Sequence, residues 1–200
     1  MGTIIFGWGD NSLGQIGDNT VTVKSSPVAV VGTHIFLSTS AGAFHSLGLK
    51  ADGTAWSWGF GTSGQLGDNT VTTKSSPVAV VGSHSFVAIA AGSIHSLGLK
   101  ADGSAWSWGK GTSGELGDNT VTNKSSPVAV VGSHSFVAIK ASNNHSLGLK
   151  ADGSVWAWGL GTSGQLGDNT VTTKSSPVAV VGSHSFVEVI DGGAHVLGLK

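Results

Sequence analysis

The sequence repeats with a period of 50 residues, and that period leaves few architectures open. Its 200 residues divide into four units, 1–50, 51–100, 101–150 and 151–200, with nothing left for a linker or a second domain, so 1–200 reads as a single domain. A unit repeated in series buries its surfaces against its neighbours. What one unit folds into therefore decides the whole.

Residues 77–127 serve as a representative copy. "PVAVV" (77–81), "FVAIAA" (86–91), "HSLGLK" (95–100) and "SAWSWG" (104–109) are strand-length runs separated by Gly- and Ser-bearing turns. Asp102-Gly103 supplies the positive-φ turn that joins the last two as a hairpin. In that hairpin Leu97 and Leu99 share one face, and Trp106 and Trp108 share one face of the next strand. A small sheet that is bulky on one side and thin on the other stacks on its like, the Trp and Leu of one unit filling the space over the Gly and Ser of the next, with Gly98 permitting close approach. "FVAIAA", rich in alanine, suits the crowded innermost strand of a radial array. The expectation is an all-β chain: a β-propeller with four-stranded blades, four repeats per chain.

The stretch "WGFGTSGQLGDNT" (58–70) places Gly59, Gly61 and Gly64 in the G-x-G-x-x-G spacing of a dinucleotide-binding turn. That fingerprint works only where a helix follows, because the phosphate sits on the helix N-terminus. Residues 65–76, "QLGDNTVTTKSS", have no helical periodicity, and the stretch recurs in later copies. It reads as a connecting loop, and no cofactor is expected.

Composition narrows the remaining classes. Net charge is −1, there is no Arg, and the ten Lys are spread along the chain, which excludes a nucleic-acid groove or an anionic membrane surface as partners. No apolar run approaches the roughly 20 residues of a membrane helix, and "MGTIIFGWGD" lacks the features of a signal peptide. Without Cys there is no thiol chemistry, and the compartment stays undetermined.

The segment "AIAAGSIHSLGLKADGSAWSWGKGTSGELG" (88–117) resembles the repeat of the regulator of chromosome condensation family: a small-residue strand, G-x-x-H, an alternating Leu strand, D-G, aromatic-x-W-G and G-Q/E-L-G, with a Pro-x-x-V further on. The resemblance extends over all 200 residues. It implies seven-bladed propellers, and among family activities guanine-nucleotide exchange on a small nuclear GTPase with chromatin binding, or inhibition of a β-lactamase. This chain carries no basic arm that would fit chromatin. A plant ultraviolet-B photoreceptor of the family sets a Trp cluster among Arg residues at a dimer face; with no Arg here, Trp56, Trp58, Trp106, Trp108, Trp156 and Trp158 read as packing residues. The chain departs from the repeat at Asp10-Asn11, at Phe6, at Ser142-Asn143-Asn144 before His145, and at Asp191-Gly192-Gly193-Ala194 before His195.

The chain ends in "HVLGLK" and starts with "TIIFGWG", so blades are offset from repeats and the N-terminal strand is expected to complete the last blade. Four blades closing on themselves need about 90° between neighbours, against about 51° in a seven-bladed ring and 45° in an eight-bladed one. The expectation is therefore a homodimer, two chains forming one eight-bladed ring with twofold symmetry. A fragment of a longer chain is the rival.

Chemistry-bearing residues recur in every copy. His45, His95, His145 and His195, and His34, His84, His134 and His184, read as imidazoles bonded to loop backbone. Asp18, Asp68, Asp118 and Asp168 precede Asn-Thr and read as Asx turns. Each loop offers one carboxylate, too few for calcium. The only glutamates, Glu115 and Glu188, occupy different repeat positions and make no acid–base pair. Neither catalytic nor metal-ligating residues are assigned, and no enzymatic activity is expected.

Information lies where copies differ. Copies two and three differ at 54, 60, 65, 73, 90, 92, 93 and 94 and their mates. The variation gathers after Trp-Gly, at Asp10, Phe60, Lys110 and Leu160, and before the second His, at Ser40, Phe44, Ala90, Ile94, Lys140, Asn143, Asn144, Ile190 and Asp191. These positions are expected to form a variable recognition surface on a fixed scaffold, for a protein or a glycan. Drift in a recently duplicated array is the competing explanation; it should also mark Thr22, Lys24, Ser25 and Ser26, which are expected to be exposed, yet these are the same in all copies. A purely structural component, or a recently amplified or engineered array without an evolved partner, remains the alternative function.

Overall fold

The computed structural model describes residues 4–200, which form strands, turns and loops with no helix among them. The strands are β1 (Phe6–Gly9), β2 (Lys24–Ala29), β3 (Ser38–Ala41), β4 (His45–Leu49), β5 (Ala55–Gly59), β6 (Lys74–Ala79), β7 (Phe86–Ala91) and β8 (His95–Lys100). They continue as β9 (Ala105–Gly109), β10 (Lys124–Ala129), β11 (Phe136–Ala141), β12 (His145–Lys150), β13 (Val155–Gly159), β14 (Lys174–Ala179), β15 (Glu188–Asp191) and β16 (Val196–Leu199). β3–β6, β7–β10 and β11–β14 make three antiparallel four-stranded sheets with strands in chain order. β1–β2 and β15–β16 make two-stranded sheets at the two ends.

The Pro-Val run does not open a sheet, as a window starting at residue 77 would place it; it closes the preceding one. Trp56 pairs with Ala79 and Ser57 with Val78, and the strand begins at Lys74, three residues before the proline. Proline has no N–H to donate, so it is tolerated on this outermost strand. The register also shifts between Ser57 and Gly59, where Gly59 takes φ 102° and a side chain would collide with the His45 backbone.

Successive sheets stack face to face. Leu47 and Leu49 of one blade share a buried layer with Phe86 and Trp108 of the next, and Leu97 and Leu99 with Phe136 and Trp158. β4 lies against β7 and β8 against β11, while the first strands β3, β7, β11 and β15 adjoin in sequence. The Leu strand's glycine serves a different neighbour from the one expected: a Cβ on Gly98 would meet the Phe86 ring of its own blade at 2.5 Å. The close approach of the next blade is made at the loop glycines instead. Gly17, Gly67 and Gly117 lie under Trp58, Trp108 and Trp158, whose nearest indole atoms would be 2.7–2.8 Å from an added Cβ.

Candidate protein-binding face

Antiparallel pairing brings the variable positions to one edge of each blade. β3 ends, β4 starts and β5 ends at the same edge, where His45 pairs with Gly59. The amide of Phe60 donates to the Phe44 carbonyl at 2.9 Å, that of Lys110 to Ile94 at 2.9 Å, and that of Leu160 to Asn144 at 2.8 Å. The residue after Trp-Gly and the residue before the second His, 16 positions apart in the chain, are thus bonded neighbours in each complete blade.

On this common backbone each blade presents different chemistry. Asp10 accepts from the Ser12 amide at 3.0 Å and from Gln15 Nε2 at 2.9 Å, and the Ser12 bonds hold its carboxyl below the usual carboxylate range. Phe60 and Phe44 meet edge to face with ring centroids 6.2 Å apart. Lys110 Nζ lies 3.2 Å from Glu115 Oε1 and donates to Asn144 Oδ1 at 2.9 Å, reaching into the next blade. Leu160 is half-buried beside Asn144.

Glu115 itself is fully buried, and its other oxygen accepts from the Ser113 amide at 2.7 Å. Gln15, Gln65 and Gln165 make the same loop bond in their copies. The third copy has replaced an amide by a carboxylate at this position and put a lysine where it can neutralise it. Two differences that look separate in the sequence are one ion pair.

A second coupling lies where the first strands end. Ser142 and Asp191, each a departure from the repeat, bond to one another: Ser142 Oγ donates to Asp191 Oδ1 at 2.6 Å, and the Gly193 amide donates to the same oxygen at 2.7 Å. His145 Nε2 stands 2.9 Å from Asp191 Oδ2. Burial works to raise the Asp191 pKa, but the bonds from His145, Ser142 and the Gly193 amide outweigh it and hold it low.

The buried histidines bind across blades, which the sequence does not suggest. His45 Nε2 is 2.8 Å from Ser96 Oγ, and His95 Nε2 is 2.9 Å from Ser146 Oγ. Those hydroxyls donate onward to the Gln65 and Glu115 carbonyls, so the histidines donate to them from Nε2. Burial pushes the pKa of His45 down to about 4 and that of His95 to about 3. The other set stacks: His34, His84 and His134 lie 4.1–4.2 Å from Trp56, Trp106 and Trp156, with Lys50, Lys100 and Lys150 over the same indoles.

Not every variable residue reaches the surface. Ala90 is buried in the Leu97–Phe136 layer and presents nothing to a partner. Ser40 is half-buried and accepts the Ala91 amide of the next blade at 2.9 Å. Lys140 and Ile94 are half-exposed, and Phe44, Asn143 and Ile190 are exposed. The unvarying Lys-Ser-Ser is not free surface either. Lys24, Lys124 and Lys174 pair with Asp18, Asp118 and Asp168 at 2.9–3.4 Å. Ser75 and Ser125 lie directly against Gly14 and Gly64 of the preceding blade. Packing explains the sameness of these residues, whereas Thr22, Thr72, Thr122 and Thr172 are exposed and still unvarying, so the sequence argument against drift narrows to them.

One surface feature escaped the sequence reading. Val21, Val71, Val121 and Val171 are 57–66% exposed, in the loops that leave the same edge. Their signal in the sequence was an apolar residue kept in every copy of a polar loop. Among the described residues no three His, Asp or Glu side chains converge as metal ligands.

A sequence model of the regulator of chromosome condensation (RCC1) repeat matches residues 52–99, 102–149 and 152–199, and a second model of that repeat matches 36–65, 86–115 and 136–165. Among solved structures, yeast RCC1 (Prp20) bound to Kap60 is 24% identical with a TM-score of 0.84, over 95% of this chain and 48% of that one. Prp20p from Saccharomyces cerevisiae, described with its binding properties to Gsp1p and histones, is 22% identical with a TM-score of 0.82, over 93% and 49%. Human WBSCR16 is 24% identical with a TM-score of 0.76, over 87% and 46%. This chain thus spans about half the length of these structures, which share its fold. A search of curated proteins gave no match.

Proposed function

Because this chain belongs to the RCC1 repeat family of β-propeller proteins, we propose that it is a non-enzymatic scaffold that binds another protein through the strand-end edge of its blades. The observation that carries this reading is the joining of variable positions on one edge: Phe60 to Phe44, Lys110 to Ile94 and Asn144, and Leu160 to Asn144, over blades that otherwise hardly change. Aromatic, cationic, amide and aliphatic groups side by side on a rigid backbone suit a protein surface better than one small ligand. The relatives point the same way, since Prp20 was solved with Kap60.

In this reading the face belongs to an eight-bladed ring of two chains, with β1 and β2 of one chain completing the blade begun by β15 and β16 of the other. Exposed Phe44 and Val71, with half-exposed Phe60 and Lys140, would supply the central contacts. The test is capture by immobilised protein, with the native chain compared with Phe60→Ala, Lys140→Ala and, on the opposite edge, Asp52→Ala. Loss of a captured protein on the first two changes and its retention on the third supports the scaffold. Equal capture by all three, or none by any, leaves the purely structural alternative.

A further inference from the structure

We infer that two copies of this chain lock together by Trp8 of one entering an empty slot over Gly167 of the other. The inference rests on the two-chain ring proposed above and names its contact.

Three tryptophans show the slot filled. Trp58, Trp108 and Trp158 are 0–2% exposed, each lying on a glycine 41 residues earlier, Gly17, Gly67 and Gly117. The indole N–H of Trp58 donates to the Gln15 carbonyl, and that of Trp158 to the Glu115 carbonyl, both at 2.9 Å. The fourth glycine, Gly167, has only Val180 within reach of an added Cβ. Around it opens an apolar hollow lined by Leu147, Leu166, Phe186, Val189 and Val196, beside Gln165. The fourth tryptophan, Trp8, is 66% exposed. One chain thus carries a knob without a slot and a slot without a knob, and the shared spacing of 41 residues assigns them to each other across a second copy.

The histidines give the same order independently. His45 meets Ser96 and His95 meets Ser146, each 51 residues on and one blade over. His195 is exposed, with no such serine bonded to it among the described residues. Ser46 donates to the Gln15 carbonyl at 2.8 Å as its mates do, yet receives no histidine. The spacing brings His195 to Ser46 of the second copy.

Strand register agrees too. Leu49 pairs with Ala55, Leu99 with Ala105 and Leu149 with Val155, which places Leu199 opposite Ile5 of the second copy. Leu197 and Leu199 are 61% and 57% exposed, whereas their mates in the complete blades are 0–6% exposed. Every missing partner is supplied by this chain's own residues in one consistent register, and the head-to-tail contact, used twice, closes with a twofold axis.

The experiment measures solution mass by light scattering over a range of concentrations. It uses the native chain, Trp8→Ala, and two double-cysteine chains in this cysteine-free sequence: Ile5→Cys with Leu199→Cys, and Phe6→Cys with Leu199→Cys. Trp8 is exposed in the single chain, so its loss leaves the blades folded, as circular dichroism can verify. Expected are about 40 kDa for the native chain, twice 20.0 kDa, and about 20 kDa for Trp8→Ala. Mild oxidation should cross-link the first double variant into dimers and leave the second, one residue out of register, unlinked. A native dimer that survives Trp8→Ala, or that links out of register, overturns this contact and leaves the ring standing. A native chain at 20 kDa throughout, or a mass that grows past two chains, overturns the ring itself.

Discussion

His95 Nε2 lies 2.9 Å from the Ser146 hydroxyl, which in turn donates a hydrogen bond to the Glu115 carbonyl at 2.9 Å, so one buried relay ties two blades and a loop together. Burial keeps the ring neutral in this place. Its pKa, brought to about 3 mainly by burial, reports the cost of charging it there.

Acid should therefore loosen the stack. Unfolded histidine binds a proton near pH 6.5, whereas His45 resists until about 4 and His95 until about 3. Between those values the unfolded chain holds more protons, so stability is complete above about pH 6.5 and falls as the pH drops towards 4. His34, His84 and His134, lowered first by burial, act in the same sense. At about 1.4 kcal/mol per pH unit the loss is on the order of 3 kcal/mol for each of His45 and His95. Denaturant midpoints measured from pH 7 to 4 should decline steadily; a flat profile over that range would contradict the neutral relay.

Ser146→Ala removes the acceptor and leaves the His95 N–H buried without a partner. The expected cost is about 1–3 kcal/mol. Equilibrium unfolding measures it, and the same change at exposed Ser12 should be near neutral.

Gly98→Ala tests the packing inside a blade. The new methyl would sit 2.5 Å from the Phe86 ring, which is 3% exposed and has little room to move. Overpacking of this kind costs about 1–3 kcal/mol. Shortening the ring with Phe86→Leu should recover part of that loss in the double variant, so a strictly additive result would count against the contact.

Lys110→Ala should destabilise by about 1–3 kcal/mol, because it strips the buried Glu115 carboxylate of its cation. Lys110→Phe with Glu115→Gln installs the Phe60 and Gln65 pair of the second copy and should melt close to the native chain. A double variant no more stable than Lys110→Ala would mean that the two positions are not coupled.

Much of this architecture was legible because a period of 50 and the Asp-Gly turns fix hairpins locally, and alternating Leu and Trp fix which faces must be covered. The inner strand "FVAIAA" and the Leu strand run as read, at Phe86–Ala91 and His95–Lys100. The outer strand was misplaced at its start, since Pro77 reads as a boundary whereas the pairing of Lys74 with Gly59 begins before it. Partners 51 residues apart, such as His95 and Ser146, leave no local pattern, and only the stacking of blades brings them together. The same holds for Ser142 with Asp191 and Lys110 with Glu115 and Asn144: their residues were legible as variation, their bonds were not. Ala90 varied too, and lies in the core.

The most direct test of the binding face exchanges one blade's edge for another's. Lys110→Phe, Glu115→Gln, Asn143→Ser and Asn144→Ile give the third copy the second copy's edge and leave its strands alone. With folding verified by melting, affinity for a captured protein partner is measured against the native chain. The scaffold reading predicts a loss of tenfold or more, about 1.4 kcal/mol. Unchanged affinity would contradict it and assign the variation among copies to drift.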